Sequence, residues 1–257
     1  MTLEQRPFAC VAETYERTRR TYPPDLRDHL VAAGVLTPDA TVVDLGAGTG
    51  QLASLVASVA ATVVAVEPEP EMVRVGRQAT AHLQAVQWEV GADADLAQLV
   101  GAPVDLVLIG NAFHLMDGPQ VLDVLDSLVT PAGAVVICSS SVPVWLQSAE
   151  WSVAIRNQLE TELGRPIGAG GTPDHHRDRE LLAASGFSQV DEWISDRTEQ
   201  RQAASVVGEI MTAASGDLDV GALERLHAAL VPWLTDGAVT EQVRTTALVA
   251  RRPGGRL

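Results

Sequence analysis

Lysine is absent from this chain: all 18 basic residues among its 257 are arginine. That absence excludes Schiff-base catalysis through an ε-amine. Positive charge is scarce as a whole, with 18 basic against 33 acidic side chains and a formal net charge of −15. The broad basic face that grips nucleic-acid phosphates is therefore missing, and no nucleic-acid partner is expected. There are two cysteines, Cys10 and Cys138, too few for a disulfide framework or a thiolate cluster. Cys138 closes the apolar run Ala134-Val135-Val136-Ile137 and reads as a buried strand residue. The first residues carry Glu4 and Arg6 rather than an apolar leader, so a reduced, cytoplasmic setting is expected. One uncharged run, Leu45 to Val66, is long enough to span a bilayer. Gly46, Gly48 and Gly50, then Ser54, Ser58 and Thr62, divide it into strand, turn, helix and strand, so no membrane partner is expected.

What is present is concentrated in that run. Thr41-Val42-Val43-Asp44-Leu45 has the continuous apolar character of a buried parallel strand, and Gly46-Ala47-Gly48-Thr49-Gly50 follows as a turn that lets backbone N–H groups approach a ligand. Leu52, Leu55, Val56 and Val59 recur at helical spacing, and Thr62-Val63-Val64-Ala65-Val66 supplies the next strand. Glu67 then stands where one carboxylate can hold both hydroxyls of a ribose. The glycine spacing is G-x-G-x-G, not the G-x-G-x-x-G of a pyrophosphate cradle, and the nearby Asp44 suits an ammonium group better than a phosphate.

The block Val42 to Gly50 resembles the first motif of the class I S-adenosylmethionine-dependent methyltransferases. The resemblance implies that Asp44, Gly46, Ala47, Gly48 and Gly50 lie under the methionyl part of S-adenosyl-L-methionine and that Glu67 binds its ribose. Further strands follow at Ala85–Val90, Val104–Ile109 and Ala134–Cys138, separated by helical periodicities around Met72, Val75 and Ala79 and from Val121 to Leu128. Such alternation predicts an α/β, Rossmann-like, doubly wound sheet, which the resemblance makes seven-stranded and mostly parallel, with helices on both faces and helical insertions forming a lid. Thr130-Pro131-Ala132-Gly133 resembles the turn that the family places before strand five. With 46% hydrophobic residues and no low-complexity linker, one domain is expected. Its parts are an N-terminal lid at 1–30, a cofactor-binding core at 31–141, and helical insertions at 142–175 and 196–240 that build the acceptor pocket. A helix is predicted over Gln147–Leu163, another over Arg179–Phe187, two more within 196–240, and a closing strand at Thr245–Ala250.

By resemblance, Tyr15 and Arg19 close over the methionyl carboxylate, and Asp93 with Ala94 faces the adenine, Asp95 being a rival. The segment Asn111-Ala112-Phe113-His114-Leu115-Met116 resembles the loop after strand four; it brings Asn111 to the cofactor and His114 to the transferred methyl group as a candidate base. Tyr22, Phe113, Met116, Trp145 and His175 are candidates to contact the acceptor. His175 and His176 stand side by side without further ligands at a supporting spacing, and Cys138-Ser139-Ser140-Ser141 carries no carboxylate, so no metal is expected. The expected activity is methyl transfer to a small molecule, a specialised metabolite, by a monomer or homodimer, with S-adenosyl-L-homocysteine as product. The alternatives are cyclisation or rearrangement beside a bound sulfonium, and a non-catalytic binding module.

Overall fold

The computed structural model describes residues 12–101, 103–140, 142–168, 173–214 and 218–254. Cys10, Ser141, the start of the lid-like segment and residues 169–172 of the glycine-rich stretch lie outside them. The chain opens with helices α1 (Ala12–Thr18) and α2 (Pro24–Ala32), then alternates β1 (Thr41–Leu45), α3 (Gln51–Val56), β2 (Thr62–Glu67), α4 (Pro70–Ala79) and β3 (Val86–Val90). After the short α5 (Leu96–Leu99) come β4 (Val104–Gly110), α6 (Gly118–Leu128) and β5 (Val129–Ser140). Then follow α7 (Glu150–Leu163), α8 (His175–Ala183), β6 (Gln189–Gln202), α9 (Ala203–Ala214), α10 (Val220–Leu230) and β7 (Ala238–Arg251). The sheet is seven-stranded, as expected, and its order is β3-β2-β1-β4-β5-β7-β6. Strands β1 to β5 pair in parallel, and β7 lies antiparallel to β5, from Ala134 opposite Arg251 to Ser140 opposite Thr245.

Two compact units emerge. The first comprises residues 21–140, 173–195 and 245 onward. Its central strands bury both faces, which is why they read as continuous apolar runs rather than alternating ones. Leu106, Leu108, Ala134 and Val136 pack on one side with Leu26, Leu30, Leu52 and Val56. Val107, Ile109, Val135 and Ile137 pack on the other with Val121, Leu125, Leu182 and Phe187. The chain leaves β1 for β2 and β3 on one side and returns to β4 and β5 on the other. The carboxyl ends of β1 and β4 therefore bound the crevice where open α/β sheets take ligands.

The other unit comprises residues up to 20, 141–172 and 196–244. Val144, Trp151, Ile155, Val206, Ile210, Leu226 and Leu230 form its core. Inside it, one guanidinium–carboxylate cluster is buried: Arg201 lies 2.7 Å from Glu209 and 3.5 Å from Glu241, and Arg20 lies 3.3 Å from Glu209 and pairs with Glu241. Gln147 adds a hydrogen bond to Glu241, and the Arg201 guanidinium donates to the Thr18 carbonyl at 2.7 Å.

Three readings of the sequence are corrected. The span 196–240 is not helical throughout, since β6 runs on to Gln202 and β7 begins at Ala238. This ribbon has no apolar alternation to announce it. Cross-strand polar pairs carry it: Asp196 with Arg244 at 2.7 Å, Thr198 with Gln242 at 3.1 Å and Gln200 with Thr240 at 3.0 Å. Residues 130–133 are not a free turn but the irregular start of β5, where the pairing with β4 shifts register between Val104 and Leu106. The helix expected at Arg179–Phe187 starts earlier, at His175, because Asp174 caps it by accepting from the N–H groups of His176 and Arg177 at 3.1 Å each. In addition, residues 21–30, read as lid, belong to the unit containing the sheet, where Tyr22, Leu26 and Leu30 are core.

Candidate active site

At the end of β1 the backbone turns through Gly46, Gly48 and Gly50, at φ +70°, +58° and +84°. Only glycine adopts such values without strain. Space requires it too: a Cβ on Gly46 would sit 2.7 Å from the Ala112 Cβ, and one on Gly50 would sit 2.7 Å from the Trp88 ring. The turn is thus held between the loop after β4 and the indole of β3. The N–H groups of Gly46 and Ala47 both donate to the Val66 carbonyl, at 2.9 and 3.1 Å. Glu67, 8% exposed, accepts from Gly48 N–H at 2.9 Å through one carboxylate oxygen and from Glu69 N–H at 3.1 Å through the other. A carboxylate has about four acceptor positions. Two remain, one on each oxygen, which is the number that a vicinal diol requires.

Asp44, 1% exposed, accepts from Ala53 N–H at 2.8 Å and so fixes the first turn of α3. Burial pushes its carboxyl up to about 7, against the Ala53 hydrogen bond and with help from the charge of Glu67. Burial likewise raises Glu67 to about 7, against its two backbone hydrogen bonds. In the glycine turn itself, the Thr49 hydroxyl is buried without a hydrogen-bond partner. Two buried acids, open acceptor positions and an orphan hydroxyl around a glycine turn make a cradle that fits a cationic ligand bearing a ribose.

Asp95 bonds back to Ala92 N–H at 3.1 Å, closing the 3-10 turn at Asp93–Asp95. That engages the rival acid and leaves the partly exposed Asp93 beside the exposed Ala94 as the acid available to a base edge.

Beyond β4, Asn111 takes a left-handed backbone at φ +50° and uses its amide within the protein. Its Nδ2 donates to the Tyr22 hydroxyl at 2.9 Å, and its Oδ1 accepts from Ser140 N–H at 3.3 Å. Asn111 and Tyr22 thereby tie the loop to β5 and to the core. Phe113 is buried, Met116 packs beside it, and His114 is half-buried. Asn111 to His114 border a small cavity of about 10 Å³, together with Ile137 to Ser139, Pro173, His175 and Asp178. That is room for about one water molecule.

Sequence reasoning missed Ser139 and Asp178. The Ser139 hydroxyl lies 2.6 Å from His175 Nε2. Asp178, one turn along α8 and 3% exposed, has its carboxyl raised to about 6 by burial and by Asp174. Neither belongs to a motif; the signal available was an acid, Asp178, three residues after His175 and so on the same face of a helix. His176, by contrast, faces solvent. Burial lowers the pKa of His175, partly offset by Glu192 and Asp174.

Tyr15, Arg19 and Trp145 belong to the other unit. There the Arg19 guanidinium lies over the Tyr15 ring, 4.7 Å from its centroid, and 4.0 Å from Glu209, while Trp145 packs against the local core. Among the described residues, no group of three or more His, Cys, Asp or Glu side chains is placed to hold a metal ion, and no helix is long and apolar enough to cross a membrane.

Comparison with known proteins agrees with this geometry. Residues 42–133 match a family model described as a methyltransferase domain. An uncharacterised methyltransferase of Mycobacterium tuberculosis is 33% identical over 175 residues, 68% of this chain, and the chain spans 63% of that relative's length. The ubiquinone/menaquinone biosynthesis C-methyltransferase UbiE of Rubrivivax gelatinosus is 34% identical over 107 residues, covering 40% of this chain and 41% of that protein. Among solved structures, a candidate type II methyltransferase from Anaeromyxobacter dehalogenans superposes with a TM-score of 0.59 at 18% identity, over 91% of this chain and 97% of that one. The precorrin-8w decarboxylase of Methanobacterium thermoautotrophicum gives 0.54 at 14% identity, over 92% and 94%. The sheet order, the glycine turn with Glu67 beside it and these relatives agree: the chain carries a methyltransferase domain of the class I S-adenosylmethionine-dependent kind.

Proposed function

We propose that the protein transfers a methyl group from S-adenosyl-L-methionine to a small-molecule acceptor, a specialised metabolite, releasing S-adenosyl-L-homocysteine. The observation that carries this reading is Glu67, whose carboxylate is buried and fixed by two backbone N–H groups yet keeps one acceptor position open on each oxygen. Asp44, Gly46, Ala47, Gly48 and Gly50 would hold the methionyl end, and Asp93 with Ala94 the adenine. When bound, the cofactor supplies an electrophilic methyl carbon on a sulfonium.

The protein's share is alignment and exclusion of water, which together supply about 7–11 kcal/mol in well-oriented reactions. A side chain at Gly46 or Gly50 would drive into Ala112 or Trp88, so the turn presents a bare backbone surface. Phe113 and Met116 offer apolar contact to an acceptor at the carboxyl edge of β4, and His114 of the same loop is one of two histidines, with His175, that border the cavity there and could take a proton. The net charge of −15 attracts a cationic cofactor and disfavours polyanionic acceptors.

The test is incubation with methyl-labelled S-adenosyl-L-methionine and an extract of small metabolites, followed by mass spectrometry. A labelled product one methylene heavier than its precursor, formed together with S-adenosyl-L-homocysteine, supports the reading. An altered product of unchanged mass, without S-adenosyl-L-homocysteine, would replace it with cyclisation or rearrangement.

A further inference from the structure

We propose that His175, held by Ser139, is the proton acceptor for an acceptor substrate bearing a hydroxyl group, an alcohol or a phenol. The proposal rests on the methyltransferase reading and deepens it. Ser139, buried one residue before the end of β5, lies at the same edge of the sheet as the loop after β4, and its hydroxyl lies 2.6 Å from His175 Nε2 at the start of α8. The other ring nitrogen, Nδ1, is buried with no hydrogen-bond partner, and the ring lines the cavity that His114, Phe113 and Asn111 also border. A buried ring nitrogen left unpaired is costly unless something else satisfies it. A hydroxyl entering this cavity would do so.

The two nitrogens divide the work. With Nε2–H donating to the Ser139 oxygen, Nδ1 carries a lone pair; the serine is then a positioning residue that fixes the tautomer. As the substrate oxygen bonds to the methyl carbon, its proton passes to Nδ1. The electron pair of the broken carbon–sulfur bond stays on sulfur, so the charge lost at the sulfonium reappears on the imidazolium and leaves later to solvent. The charged and titratable groups facing the ring are Asp174, which caps α8, Asp178 of α8, Glu192 of β6, and His114 and Cys138 around the cavity. Glu192 is paired with Arg179 at 2.9 Å. Burial lowers the pKa of His175, against Glu192 and Asp174, and so favours the neutral form that a base requires. Asp178, buried three residues along the same helix, is placed to stabilise the imidazolium once it forms.

The experiment is nitrogen NMR of the histidine-labelled protein, saturated with S-adenosyl-L-homocysteine and titrated with phenol, catechol and cyclohexanol. The expected result is a bare Nδ1 in the starting spectrum and a saturable shift of that signal with a hydroxyl probe. His175→Gln should remove the signal, and Ser139→Ala should mix the tautomers. For any hydroxyl acceptor that is turned over, His175→Gln should lower kcat about 10²–10⁴-fold with little change in KM. A protonated Nδ1 in the wild type, or an Nδ1 signal unmoved by all three probes while S-adenosyl-L-homocysteine is bound, overturns the assignment alone. Failure of S-adenosyl-L-homocysteine to bind overturns the methyltransferase reading and this one with it. Should His175→Gln fail to fold, the wild-type tautomer and the Ser139→Ala spectrum still decide.

Discussion

Glu67 and Asp44 are neighbouring carboxylates in one buried cradle, and each has its pKa raised to about 7 chiefly by burial. In the unfolded chain both ionise near their ordinary values of 4.5 and 3.8. Between about pH 4 and 7 the folded protein therefore binds more protons than the unfolded one, and stability without cofactor falls as pH rises across that window. A melt series should show this fall, and Asp44→Asn should flatten it. Binding of a cation stabilises the ionised form and lowers both pKa values. Cofactor binding near pH 7 should thus release protons, and affinity should rise with pH through that region; calorimetry in buffers of different ionisation enthalpy counts the protons. Glu67→Gln keeps the shape but loses the charge and an acceptor for a backbone N–H. It should weaken cofactor binding by about 1.5–3 kcal/mol, roughly ten- to hundred-fold.

At the scale of elements, what the sequence revealed depended on whether an element is held by apolar periodicity or by something else. Strands β1, β2 and β4 were legible because their central residues are buried on both faces, and Glu67 was legible because it ends β2 directly. The β6–β7 ribbon was not, because charged and amide side chains pair across it. The Ser139–His175 contact joins residues 36 apart through no motif, so only the packing of α8 beside β5 shows it. In the glycine turn, Gly46→Ala places a side chain at φ +70° against Ala112 and should cost at least about 1–2 kcal/mol of stability, read by denaturant titration. In α9, Glu209 is wholly buried; burial alone would raise its pKa, but Arg20, Arg201 and Arg19 outweigh that and lower it. Its ionised form therefore adds stability above the unfolded pKa that is lost as pH falls through the folded one. Glu209→Gln should destabilise its own unit by about 3–5 kcal/mol, because it leaves the buried Arg20 and Arg201 guanidinium groups to share the single charge of Glu241. Hydrogen exchange of the α9 amides reads this locally.

For the whole molecule, the acidic excess and the division into two compact units matter most. The unit built on the sheet contains Asp44, the glycine turn, Glu67, Asp93, His114 and His175, so the cofactor cradle and the proposed proton acceptor share one core. A net charge of −15 should speed the association of a cationic ligand, an effect that salt weakens. The most direct test of the account is calorimetric titration of the wild type and Glu67→Gln, freed of carried-over ligand, with S-adenosyl-L-methionine and S-adenosyl-L-homocysteine. One saturable site that weakens in the variant while its melt stays close to wild type is the predicted result. No binding of either ligand by folded wild type, or equal affinity in the variant, would contradict the assignment of the cradle.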